Sequence, residues 1–112
     1  GFDTGYYRVV GTDWYMSPQQ WTGDPPHVAD DIYSLGATMY ELLTGKPPFH
    51  EGDVFKQLHE VIPPTRMERL VQFGVRKPKI PSAWEETVAA CLAKQTEARP
   101  PSAADVAARL GL

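Results

Sequence analysis

Apolar side chains between Ile32 and Thr44 fall on every side of a helical wheel. Ile32, Leu35, Met39 and Leu42 form one stripe at helical spacing, Tyr33, Ala37, Tyr40 and Leu43 supply the other faces, and Glu41 is the only charge. A helix that is apolar all round is one enclosed by other elements. The pattern predicts a central buried helix over 29–45, with Asp30 or Asp31 capping its first turn, Gly45 closing its last, and Pro47-Pro48 forbidding continuation. It is too short to span a bilayer, which takes ~20 apolar residues. Beyond it, Val54, Leu58 and Val61 or Ile62 mark an amphipathic helix within 51–62, ended by Pro63-Pro64. Thr65 and Glu68 form a Thr-x-x-Glu capping pattern before a short helix carrying Met67, Leu70 and Val71 on one side. Ser82 and Glu85 repeat it before a helix over 83–94 with Trp84, Val88, Cys91 and Leu92 on one stripe, and Ser102 and Asp105 precede a last helix over 103–110. At the other end, residues 1–10 read as a loop with an extended piece at 7–10, and Ser17-Pro18 opens a short helix, since proline suits a first helical position. The fold class is mainly α.

Composition adds bounds to this picture. The 112 residues suit one domain able to bury a real core. A net charge of -3 argues against the basic footprint of a nucleic-acid binder. The single cysteine, Cys91, excludes an internal disulfide, fits a reducing compartment and falls on an apolar helical stripe as a core thiol would. No signal peptide, transit peptide or transmembrane run is evident, and the chain opens on glycine rather than methionine, as a fragment or a processed chain would. His27, His50, His59 and Cys91 share no metal-ligand spacing. Arg66, Arg69, Arg76, Lys77 and Lys79 make a basic stretch that reads either as a solvated loop or as a dock for acidic partners. Trp14, Trp21 and Trp84 read as packing residues.

Three stretches carry a resemblance. Asp31-Ile32-Tyr33-Ser34-Leu35-Gly36, followed by Tyr40-Glu41-Leu42-Leu43-Thr44-Gly45-Lys46-Pro47-Pro48-Phe49, resembles the central helix of the large lobe of serine/threonine protein kinases. Gly11-Thr12 with Tyr15-Met16-Ser17-Pro18 resembles the end of their activation segment, and Trp84 through Arg99-Pro100 resembles their closing helices. The likeness runs from Gly11 onward, is weakest across 66–80, and is closest in style to the bacterial branch. It implies a partial protein-kinase-like fold: 1–112 as the C-terminal portion of a kinase domain, with the end of the activation segment over 1–20 and a helical C-lobe portion around the central helix.

The resemblance also implies roles. The intact domain would transfer the γ-phosphate of ATP, with Mg, to protein serine or threonine in the cytoplasm. A protein kinase needs a Gly-rich loop, a strand lysine, a helix glutamate, and the aspartates of His-Arg-Asp and Asp-Phe-Gly motifs, and none is present in its motif in this sequence. The chain alone is therefore expected to bind neither ATP nor Mg and to be inactive. Its expected partners are a protein substrate and the upstream part of the same kinase domain, with no membrane segment and no nucleic acid. By resemblance Thr12, beside Gly11, bonds the catalytic aspartate under the substrate hydroxyl; the local alternative is a plain turn. Asp31 accepts backbone N–H groups of the catalytic loop, a task suited to a carboxylate; a helix cap is the alternative, and both can hold together. Arg99 tethers the activation segment through position 19, where Gln19 replaces the family's usual glutamate, or else it is a surface residue. Thr4 is the first candidate phosphosite, ahead of Tyr6 and Tyr7. A pseudokinase or kinase-derived binding module, working by contact alone, is the alternative to an enzyme, and an unrelated helical adaptor is a third reading. By itself the chain should leave one apolar face of its central helix uncovered.

Overall fold

A single helix threads the middle of the molecule, and most of the chain packs on it directly or one layer removed. The structure, a computed structural model, describes residues 12–112, with Thr12 described in its backbone alone. Thr4, Tyr6, Tyr7 and Gly11 lie outside the described residues. Among the described residues all regular structure is helical. A 3-10 turn at Thr12–Tyr15 leads to α1 (Pro18–Trp21) and the central α2 (Val28–Thr44). Then come α3 (Val54–Glu60), α4 (Arg66–Phe73), α5 (Ser82–Cys91), a second 3-10 turn at Thr96–Ala98, and α6 (Ala103–Leu110). Helix α2 packs against α5, α4 and both turns; α6 leans on α5, and α1 on α3.

The ends of α2 follow from hydrogen bonding. It starts one residue before the expected 29, and neither Asp30 nor Asp31 is its cap. His27 is: its Nδ1 accepts the Ala29 N–H at 2.9 Å, while the Asp30 carboxylate reaches back to the His27 N–H at 3.0 Å. Asp30 thus serves the cap from inside the first turn, where a carboxylate also complements the helix dipole. At the other end Gly45, at φ 102°, closes the helix with its N–H on Glu41 O at 2.7 Å.

Elsewhere the boundaries shift for similar reasons. Helix α3 is shorter than 51–62 because Asp53 caps it, its carboxylate accepting the Lys56 N–H at 3.0 Å. Ser82 is the first residue of α5 rather than its cap, which is Pro81, and α5 ends at Cys91 instead of 94. The Thr65/Glu68 capping box forms, Ser102 accepts the Asp105 N–H at 3.0 Å, and α6 spans Ala103–Leu110.

Two patches of core flank α2. Tyr33, Ala37 and Tyr40 pack with Phe49, Leu58, Val88 and Leu92, and Ile32 packs with Cys91 and Val106. Between them Gly36 meets α5 so closely that a Cβ placed on it would lie 2.5 Å from Cys91 Cβ. The opposite side of the helix is open: Val28 is 58% and Leu42 73% exposed, and Asp31 and Thr38 are exposed between them on the same stripe. The basic stretch divides. Arg76, Lys77 and Lys79 are exposed, but Arg69 is buried, because α4 turns its Arg69–Leu70 side inward. There the Arg69 guanidinium donates to Tyr40 Oη at 3.0 Å and Pro48 O at 2.5 Å, which fastens α4 to the central helix.

Candidate functional site

Of the residues singled out by sequence, Gln19 and Arg99 meet where α1 reaches the first turn of α2, and the 3-10 turn packs on α2 beside them. Ser34, a polar position in an otherwise apolar helix, donates to Tyr15 O at 2.7 Å. Tyr15 donates from its hydroxyl to Glu41 Oε1, a short hydrogen bond that pushes the phenol above its ordinary value. The turn holding Thr12 is thus tied to α2 at two levels of the helix. Trp21 Nε1 donates back to Asp13 O at 3.2 Å and closes the turn from α1.

Ser17 is the junction. It is fully buried; its hydroxyl donates to Asp30 Oδ1 at 2.6 Å and accepts the Gln20 N–H at 3.1 Å, while Gln20 Oε1 accepts the Ser17 N–H at 2.9 Å. Asp30 therefore ties the start of α2 to the start of α1, and a buried carboxylate so bonded is costly to disturb.

Arg99, 5% exposed, lies within the molecule rather than on its surface. Its Nη2 donates to Gln19 Oε1 at 2.7 Å and to Lys94 O at 3.2 Å, its Nε to Ala93 O at 2.8 Å and its Nη1 to Ala29 O at 3.1 Å. Gln19 in turn donates to Lys94 O at 2.9 Å, so its amide spends both ends, acceptor to the arginine and donor to a carbonyl. The guanidinium also sits 5.2 Å over the Tyr33 ring. Burial lowers the Arg99 value from its ordinary range, and the nearby charge of Asp30 acts against that shift. Burial raises Tyr33 strongly. The arrangement pins α1, the start of α2 and the 93–99 segment to one guanidinium.

Asp31 stands apart from this network. It is exposed on the open stripe of α2 with Val28, Thr38 and Leu42. Among the described residues no group of three or more His, Cys, Asp or Glu could hold a metal ion, and no helix is long and apolar enough to cross a membrane.

A family model described as the protein kinase domain matches residues 3–109. The chain belongs to the protein kinase domain family. It is 36% identical over 108 residues, 91% of this chain, to the serine/threonine-protein kinase PknB of Mycobacterium tuberculosis. It is 34% identical over 96 residues, 81% of this chain, to a probable serine/threonine-protein kinase PknB of Bifidobacterium longum, and 32% identical over 97 residues, 87% of this chain, to PkaA of Streptomyces coelicolor. The chain spans only 13% of the Bifidobacterium relative and 16% of the other two. The all-helical architecture is compatible with the helical C-lobe portion of the protein kinase fold, and members of this family generally use ATP and Mg.

Sequence alone pointed to Gln19, Asp31 and Arg99, and the structure brings Gln19 and Arg99 into direct contact. Asp30 was read only as a candidate helix cap and Ser17 only as a helix start, and Ser34 and the Tyr15–Glu41 pair had no role. Their signal was present: Ser34 and Glu41 are polar interruptions in an apolar run, and each is used to hold the turn.

Proposed function

We propose that this chain is the substrate-side, helical portion of a serine/threonine protein kinase domain. Its parent transfers the γ-phosphate of Mg-ATP to serine or threonine hydroxyls of proteins in the cytoplasm. The observation that carries this reading is the open stripe of α2, where Asp31 stands exposed among Val28, Thr38 and Leu42 while the rest of that helix is enclosed. A carboxylate set in a partly apolar stripe suits a facing segment that brings backbone N–H groups and apolar cover together. In this reading Asp31 receives the catalytic loop of the upstream chain. Thr12 lies beneath the substrate hydroxyl on a turn held by Ser34 and Tyr15, and Gln19 and Arg99 brace the end of the activation segment. Thr4 is the phosphorylatable position that tunes that segment. The chain by itself binds neither ATP nor Mg and transfers no phosphate, since the motifs for both are not among its residues.

The test is phosphate transfer from radiolabelled ATP to a generic basic protein by the full natural polypeptide, beside its Asp31→Asn and Thr12→Ala variants. Loss of transfer in both variants with unchanged thermal unfolding is the expected result. A folded parent that carries intact His-Arg-Asp and Asp-Phe-Gly motifs yet transfers no phosphate would refute the proposal.

A further inference from the structure

Helix α4 buries one side and leaves the other apolar. Arg69 and Leu70 face inward, whereas Met67 and Val71, one turn apart, are 63% and 73% exposed. Gly74, left-handed at φ 67°, then reverses the chain, and the next residue, Val75, sets its N–H on Leu70 O at 2.9 Å while its side chain stays open to solvent. The segment that follows returns toward the start of α4, because Arg66 Nη2 donates to Pro78 O at 2.8 Å. Arg76, Lys77 and Lys79, all exposed, are carried on this return. Eight residues of helix span only about 12 Å, so their charges act on whatever lies against Met67 and Val71.

The charge of this hairpin opposes that of the chain. Residues 66–79 hold five of the 11 Lys and Arg but one of the 14 Asp and Glu, which is +4 against -7 for the remainder. The one acid, Glu68, is spent in the capping box, where it accepts the Thr65 N–H at 2.7 Å. Among the described residues no carboxylate pairs with Arg76, Lys77 or Lys79. Scattered apolar residues on a surface are ordinary. An apolar stripe joined to three unpaired cations fits an occupant that is apolar and acidic together. An anionic lipid sheet is such an occupant, but it extends under the acidic remainder as well and is repelled there. A segment of protein meets the hairpin alone, since salt screens charges more than about 8 Å away. The stripe also lacks the Trp, Phe and Leu that seat an interfacial helix in lipid.

We propose that the outer face of the α4 hairpin docks an acidic amphipathic helix of a partner protein. Apolar side chains of that helix at four-residue spacing mesh with the Met67–Val71 ridge, where the pliant methionine adapts to them, and carboxylates beside them pair with Arg76, Lys77 and Lys79. The inference stands independently of the phosphotransfer reading, because it uses none of the residues assigned to that function.

Fluorescence anisotropy tests it, with a labelled helical peptide that carries leucines on one face and glutamates elsewhere, titrated with the full natural polypeptide. Saturable binding is expected, at least about tenfold tighter than for the same peptide with glutamines in place of the glutamates or serines in place of the leucines. Replacing Arg76, Lys77 and Lys79 together by serine should weaken it by a similar factor, and so should Met67→Ser with Val71→Ser. All five positions are exposed, so unfolding curves of the variants should match the parent, and the comparison of peptides on the unmodified protein requires no variant. Equal affinity for the acidic and neutral peptides, or acidic-peptide binding that both folded variants retain, would overturn the proposal. So would phosphatidylserine vesicles, or a second copy of the polypeptide, binding through these residues while the acidic peptide does not.

Discussion

Replacing Arg99 by methionine separates a buried guanidinium from the more common surface kind. The substitution keeps an unbranched apolar stem but removes the donors to Gln19, Ala93, Ala29 and Lys94 at 2.7–3.2 Å. Lys94 O keeps the Gln19 amide, whereas Ala93 O and Gln19 Oε1 lose the guanidinium donors that now reach them. Each such buried orphan costs ~1–3 kcal/mol, and the relief of desolving a charge returns part of it, so the expected loss is about 3 kcal/mol. That is a large share of a domain whose whole stability is ~5–15 kcal/mol. Arg109 is the control. It pairs with Asp105 at 2.7 Å, one turn apart on α6, with its side chain 46% exposed. Arg109→Met should cost only ~0.3–0.5 kcal/mol. Urea unfolding of the full natural polypeptide, followed by helical circular dichroism, measures both. Equal losses for the two variants would show that the Arg99 network contributes no more than a surface ion pair, and the account of this junction would fail.

Other consequences can be checked in the same way. Gly36→Ala should cost ~1–3 kcal/mol by overpacking α2 against α5, and Cys91→Gly in the same chain should return part of it; strictly additive losses in denaturant midpoints would contradict the close approach. Burial pushes Lys94 down from the ordinary 10.5 to about 8, so at neutral pH the unfolded chain holds this proton more tightly than the folded one. The stability from this group is present above 10.5 and is lost as pH falls toward about 8, so Lys94→Met should flatten the stability profile across that window, and an unchanged slope would refute the burial argument. Leu42→Lys should reduce self-association of the 112-residue chain at micromolar concentration without lowering its helicity; sedimentation that matches the parent chain would show that the open stripe is not the sticky surface.

The helices were legible because their apolar periods are strong and their stops are chemical: paired prolines, Gly45, and the capping residues Thr65 and Ser102. The start of α2 was less so, because histidine is an uncommon cap and two aspartates stood next to it. Which of them went inward depended on Ser17, a residue 13 positions away, whose hydroxyl claims Asp30. Arg69 misled for a related reason. Among four other cations it looked solvated, and only the packing of α4 shows that Tyr40 Oη and Pro48 O receive it. A cavity between α2, the 62–66 segment and α5 is lined by residues up to 54 positions apart, Tyr40 to Lys94, and no local pattern announces it.

The contact at Gly36 has an experimental use. Cys91 is the only thiol in the chain and is sealed at the crossing of α2 and α5, with none of its surface exposed. A maleimide in solution can reach that sulfur only during moments when the packing of α5 against α2 or α6 opens. Its rate of capture therefore clocks how often the middle of the fold breathes, with no label to introduce and no other sulfhydryl to confuse the trace.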